Sequence, residues 1–174
     1  MPIESEALRA NLEQALRNDI PLARAMDLHI GAWDGDRLEM HAPLAPNIND
    51  KGCAFGGSLA SVMTLAGWSL IHLATDAERL DCDLYVQDST IRYLAPVWGE
   101  IRAVARLDEG ESFVAFLDAL RARGKARLAV RAEVAGAGAG PACTFAARFV
   151  AVARDHAVPS PAAADAAEST PASA

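Results

Sequence analysis

The chain has 174 residues and a mass of 18.3 kDa, with 52% hydrophobic and 22% charged residues, the size of one domain with enough apolar material for a full core. Its formal net charge of −7 and pI near 5.0 argue against a nucleic-acid binder, since a phosphate backbone calls for a basic footprint and no long basic stripe occurs. Three scattered cysteines, Cys53, Cys82 and Cys143, are too few for a disulfide framework or a zinc site. No basic segment leads into an apolar run at the N-terminus, and charged or polar groups interrupt every candidate stretch of about 18 apolar residues, so a soluble, cytoplasmic setting without a membrane span is expected.

Apolar positions at Leu8, Leu12, Ala15 and Leu16 recur at helical spacing, with Ser5 as a candidate N-cap and Asn18–Asp19 before Pro21 as a stop. Leu28 to Trp33 and Arg37 to Leu44 read as two strands joined at the turn signal Asp34-Gly35-Asp36. Pro43 to Gly57 is rich in Pro, Asn, Asp and Gly and is a loop. From Ser58 to about Thr75 the apolar residues run almost all the way round a helix, including Leu59, Val62, Met63, Ala66, Leu70 and Leu73; such a helix is buried on most sides and must be wrapped.

The wrapping comes downstream. Asp83 to Leu94 and Gly99 to Leu107 have strand character on either side of Pro96. Phe113, Phe116, Leu117 and Leu120 then return to helical spacing, with Glu109 or Ser112 at the start and Gly124 as C-cap. Lys125 to Ala135 alternates as a strand, Gly136 to Pro141 is a hairpin loop, and Ala142 to Ala153 is the last strand. This order predicts an α+β fold, one mostly antiparallel sheet curled around one apolar helix; a doubly wound parallel sheet would need a helix between nearly every strand pair. Residues 1–154 are expected to form this single domain. Residues 155–174 collapse to Ala, Pro, Ser, Asp and Glu and are expected to be a disordered tail.

The informative stretch is Asn47-Ile48-Asn49-Asp50-Lys51-Gly52-Cys53-Ala54-Phe55-Gly56-Gly57-Ser58, which feeds straight into the buried helix. Paired glycines at a helix start let a ligand approach the backbone, and the first helical N–H groups have no intrahelical acceptor. With the positive end of the helix dipole behind them, such donors suit a carbonyl oxygen that becomes an oxyanion. A tight loop-to-helix junction would use the same two glycines without any chemistry.

Three segments together carry a resemblance: Asn47 to Ser58, then Leu65-Ala66-Gly67-Trp68, then Ile91-Arg92-Tyr93-Leu94-Ala95-Pro96, with Gly124-Lys125-Ala126-Arg127 as a weaker fourth. The chain resembles the hotdog-fold thioesterases, and within them the family whose domain is also fused behind an acetyltransferase in YiiD-type proteins. The resemblance spans roughly Ile20 to Val152. It implies a helix inside a wrapped sheet, a homodimer or tetramer with active sites between subunits, and an acyl thioester substrate carried by coenzyme A or an acyl carrier protein. No cofactor is implied, coenzyme A entering only as part of substrate and product.

In related enzymes an Asn precedes a His-Gly-Gly by six residues and a carboxylate follows that His by nine. Asn49, Gly56 and Gly57 match, whereas Phe55 stands at the His position and Thr64 at the carboxylate position. Thr64 stays neutral near pH 7 and is no strong base, although its hydroxyl can orient a water. The resemblance therefore implies Asn49, Gly56, Gly57 and Thr64 as catalytic positions. Asp88, on the strand after the central helix and expected on the same side as Val86, joins them as a candidate; a strand-end carboxylate satisfied by Arg92 is the competing reading. Phe55 and Ser58 are assigned to the substrate. So are Arg123, Lys125 and Arg127, the local basic cluster of an acidic chain, as contacts for the phosphates of coenzyme A; cations near a helix C-terminus are favoured there in any case. Cys53 reads as a small buried residue, and His72 as a core or interface histidine. A binding module for acyl-CoA or acyl carrier, with no chemistry, is the alternative to a hydrolase.

Overall fold

The computed structural model describes residues 2–154, with the backbone alone for residues 2–4; the expected tail, 155–174, lies outside the described residues. Helix α1 spans Pro2–Asp19 and a short α2 spans Pro21–Ala25. Strands β1 (His29–Trp33) and β2 (Arg37–Ala42) form a hairpin, and a 3-10 turn (Ala45–Asn47) leads into the loop before α3 (Gly56–Ala77). Then come β3 (Cys82–Tyr93), β4 (Ile101–Leu107), α4 (Phe113–Arg123), β5 (Lys125–Ala135) and β6 (Pro141–Ala153). The six strands pair antiparallel in one sheet, order β1-β2-β4-β5-β6-β3.

The α+β fold expected from the hydrophobic pattern is the one observed: a curled sheet around a long apolar helix. Leu59, Val62, Met63, Ala66, Leu70 and Leu73 of α3 are buried and face β2, β4 and β5. Gly67 sets how closely the helix approaches the sheet, since a Cβ there would sit 3.1 Å from the Phe149 ring and 3.3 Å from Val130. By length and composition α3 is apolar enough to cross a membrane, which corrects the expectation that polar groups interrupt every such run; here over half of that window is buried inside the fold.

Several boundaries differ from the sequence reading: α3 opens at Gly56 rather than Ser58, β2 ends at Ala42 rather than Leu44, and α1 and α2 both open on proline. Proline is favoured in a helix's first turn, where its missing N–H is an orphan anyway. Pro2 therefore opens α1 ahead of Ser5, which is not the cap, and Pro21 opens α2 as well as ending α1. Helix α1 also guards the edge of the sheet. Glu13 accepts the Ile30 N–H at 2.7 Å and pairs with His29 Nδ1 at 3.0 Å, while Arg9 donates to Gly31 O at 2.5 Å. These contacts occupy backbone groups that an edge strand would otherwise leave open. The opposite edge, β3, is covered less: among the described residues Trp68 Nε1 donates to Leu84 O at 3.2 Å.

Candidate functional site

The loop before α3 is built by two asparagines. Asn47, 2% exposed, donates through Nδ2 to Met26 O at 2.9 Å and Pro43 O at 2.7 Å, and its carbonyl accepts the Phe55 N–H at 2.7 Å. Asn49 folds the next turn: its Oδ1 accepts the Lys51 N–H at 2.8 Å and the Cys53 N–H at 3.3 Å, and its Nδ2 donates to Cys53 Sγ at 3.2 Å. The Ala54 N–H then donates to Val97 O at 2.8 Å, tying the loop to the segment after β3. Asn49 is thus a loop-forming residue whose side chain is turned into the turn. Cys53 is buried against it, as the sequence suggested.

This scaffold delivers Phe55 to the N-cap with φ −67° and ψ 135°, and no side chain caps the helix. Leu59 is the first residue of the helix to find an acceptor, donating to Phe55 O at 3.0 Å. The N–H groups of Gly56, Gly57 and Ser58 have none among the described residues. Ser58 is buried, Gly56 partly exposed and Gly57 exposed, so two of these donors belong to residues open to solvent. The first turn carries no acidic residue to offset the helix dipole.

Two rings frame the opening. Phe55, 55% exposed, lies over Gly57 so closely that a Cβ at Gly57 would overlap its ring. Tyr93, at the end of β3, donates its hydroxyl to Gly56 O at 3.1 Å. Tyr93 stood in a family-like segment but was not singled out from the sequence, because its contact with Gly56 spans 37 residues. Exposed Trp98, 61% open, adds a third ring near Gly52.

Thr64 lies two turns beyond Gly57 on the same stripe of α3. This stripe continues through Leu65, Trp68 and His72, and these four are only partly buried. The Thr64 hydroxyl has no hydrogen-bond partner among the described residues, whereas Ser61 Oγ returns to Gly57 O at 2.9 Å. Trp68 donates to Leu84 O at 3.2 Å and stacks on His72 with ring centroids 4.8 Å apart. Burial pushes the His72 imidazole below its ordinary range, against a smaller opposing pull from Asp76. It is a packed histidine, as expected.

Asp88 is not where the alternation placed it. The register slips between Val86 and Asp88, so Val86 lies opposite buried Phe149 and Asp88 opposite exposed Arg148. The extra residue, Gln87, turns Asp88 to the convex face, opposite to Val86 and away from α3. Ser89, opposite Ala147, is turned to the helix side instead. Asp88 also makes no ion pair with Arg92; its Oδ2 accepts from Gln87 Nε2 at 3.4 Å.

Arg123, Lys125 and Arg127 do converge. They line a groove of about 600 Å3 between α4 and the start of β5, together with Gly110, Ser112 and Phe116. Gly124, in the left-handed region at φ +63°, makes the turn that brings Arg123 and Lys125 side by side. Among the described residues no group of three His, Cys, Asp or Glu side chains is arranged to hold a metal ion.

A family model described as "Putative thioesterase (yiiD_Cterm)" matches residues 9–153. A protein of unknown function from Chlorobaculum tepidum superposes with a TM-score of 0.78 at 32% identity, over 86% of this chain and 94% of that one. A structure described as a putative thioesterase from Shewanella oneidensis superposes with a TM-score of 0.75 at 29% identity, over 84% of this chain and 99% of that one. At 23% identity, a Pseudomonas aeruginosa protein described as a probable thioesterase shares the fold with a TM-score of 0.69, over 83% and 96%.

Proposed function

Because this chain belongs to the YiiD C-terminal thioesterase family, we propose that it hydrolyses acyl-coenzyme A thioesters at the opening of α3. The observation that carries this reading is the set of N–H groups at Gly56 and Gly57 that have no acceptor among the described residues, on a solvent-open helix start with no side-chain cap there. The thioester carbonyl accepts hydrogen bonds from these two amides. Water adds to the carbonyl carbon, the oxygen gains negative charge against the amides, and the C–S bond then breaks. The carboxylic acid leaves with the water oxygen, and the proton released by the water ends on the sulfur or in solvent. One such donor is worth about 3 kcal/mol in enzymes that use one.

In this reading Thr64 orients the water from the stripe it shares with Gly57. Phe55 and Ser58 line the acyl slot, and Asn49 acts by shaping the loop that aims the amides. Asp88 has no part in it, given the convex face on which it stands.

The working unit is a homodimer joined along β3. That strand is a twelve-residue edge, and Tyr85, Val86 and Tyr93 are 58%, 41% and 56% exposed on it. A long, mostly uncovered edge favours pairing with another strand, and a two-fold axis makes the pairing self-complementary. The partly buried α3 stripe beside it would then close from the second subunit.

The test is hydrolysis of an acyl-CoA series of increasing chain length, followed by release of free thiol. Turnover that peaks at one chain length supports the reading. A rate no higher than the uncatalysed one across the series refutes it; tight binding of a non-hydrolysable acyl-CoA thioether in that event favours a binding module.

A further inference from the structure

We infer that the groove between α4 and β5 holds the nucleotide phosphates of a coenzyme A whose thioester lies at the α3 opening of the partner subunit; the inference rests on the hydrolase reading above. Three cations, Arg123, Lys125 and Arg127, line this groove with no ion pair among the described residues. Arg121, Arg131 and Arg154 are each ion-paired, to Glu78, Asp108 and Asp83. Arg123 and Lys125 make no side-chain bond among the described residues, and Arg127 donates only to the neutral Gln87 Oε1, at 3.0 Å. Among the described acidic residues, Glu111 alone lines the groove. In a chain of net charge −7, cations left unpaired around one concavity suit a multiply charged anion.

The backbone adds donors. Strand β4 ends at Leu107, opposite Val130, so residues 125–129 of β5 have a strand neighbour only in β6. The Ala153 N–H bonds Gly124 O, and the Asp108 N–H bonds Ala129 O. Backbone groups alternate sides along a strand. Those of Lys125 and Arg127 therefore share the side of Ala129, facing α4 and the groove.

Topology assigns the groove to the partner's site. Tyr93, which touches Gly56, ends β3 at one extreme; Lys125 lies opposite Val152, which lies opposite Asp83 at the other. Ten residues of strand separate Asp83 from Tyr93, about 33 Å, too far for the pantetheine arm of one molecule. When two β3 edges pair antiparallel, the Tyr93 end of the partner lies beside this Asp83 end. Lys125 is then three strand spacings from the partner's β3, about 14 Å, which the arm spans. A groove of about 600 Å3 is of a size for a nucleotide rather than for the broad surface of a carrier protein.

Calorimetry with 3′,5′-ADP tests the groove. Wild type and Gly56→Pro should bind it alike, and Arg123→Glu/Lys125→Glu should bind roughly tenfold more weakly or worse. That double variant should raise the KM for acyl-CoA and leave the KM for the matching acyl-pantetheine unchanged. Equal 3′,5′-ADP affinity in both proteins overturns the inference, as does a patch that binds acyl carrier protein but not the nucleotide. Mixing Gly56→Pro subunits with charge-reversed subunits tests the assignment to the partner. Mixed dimers then hold one intact site each and return about a quarter of wild-type turnover; no recovery overturns it. A protein that binds 3′,5′-ADP in the groove but cleaves no thioester sinks the hydrolase reading and leaves the nucleotide site standing.

Discussion

Gly56→Pro separates the chemistry of the α3 opening from its shape. Position 56 is the first of the helix, where proline's fixed φ suits the backbone and its missing N–H breaks no helical bond. The residue before a proline must be extended, and Phe55 already is, at φ −67° and ψ 135°. A Cβ at Gly56 would meet the Tyr93 ring at 3.4 Å, an ordinary contact. The substitution should therefore leave stability within about 1 kcal/mol of wild type, and the stiffer unfolded chain can raise it slightly. Its one electrostatic effect is to delete the Gly56 N–H. Loss of an oxyanion donor costs about 3 kcal/mol in the transition state, so kcat should fall on the order of a hundredfold or more while thermal unfolding is unchanged.

Gly56→Ala is the control, since it adds the same Cβ and keeps the N–H. It should retain turnover within a few-fold of wild type. A folded Gly56→Pro protein with wild-type kcat would refute the oxyanion argument. Equal losses in the two variants would show that the Tyr93 contact, rather than the amide, sets the rate.

Other consequences are equally direct. Asn47→Ala strips the buried Met26 and Pro43 carbonyls of their donor, so urea unfolding should show a loss of about 2–3 kcal/mol, larger than for the half-exposed Asn49→Ala. Thr64→Val keeps the shape of the α3 stripe and removes its hydroxyl; kcat should drop with KM little changed, and an unchanged kcat would remove Thr64 from the proposed mechanism. Burial lowers the His72 pKa in the folded chain, so the unfolded chain binds the proton more readily. Stability should hold above the ordinary histidine value of about 6.5 and decline as pH falls below it; thermal unfolding from pH 7.5 to 5 should show a shallower decline in His72→Phe. Gly124→Ala, forced to φ +63°, should lower stability by about 1 kcal/mol or more in the same assay.

Most of the fold was legible because its signals are local. The alternation from Lys125 to Ala135 is the observed β5, residue for residue, and Ser112 and Gly124 cap α4 as the pattern indicated. Helix α3 was legible from its all-round apolarity, and the opening of the site from the glycines that begin it. The bulge in β3 was not, because one extra residue reverses every later side chain without altering the composition of the strand. That single slip put Asp88 on the wrong face and hid Ser89. Asn47 read as an ordinary loop former, since its acceptors lie 21 and 4 residues away and only one is local. The basic cluster was visible as a run of charge. That it encloses a groove depends on β4 stopping opposite Val130, a pairing the sequence does not mark.

The departure at Thr64 would alter the electrostatics of the proposed site in two ways. From Gly56 to Thr75 the helix carries no Asp, Glu, Lys or Arg; Asp76 is the first. A carboxylate at position 64, two turns above the opening, would supply a base and would also oppose a developing negative charge on the acyl oxygen. With threonine there, the proposed mechanism lacks both that base and that opposition, and in it the Gly56 and Gly57 amides and the helix dipole would act on the acyl oxygen undiminished. Phenylalanine at position 55 lays its ring against Gly57, beside one of the proposed donors, while staying 55% exposed itself. In the proposed mechanism a weaker base leaves most of the rate to stabilisation of the tetrahedral intermediate by the amides. Loss of the Gly56 amide should therefore cost this chain more than loss of the Thr64 hydroxyl.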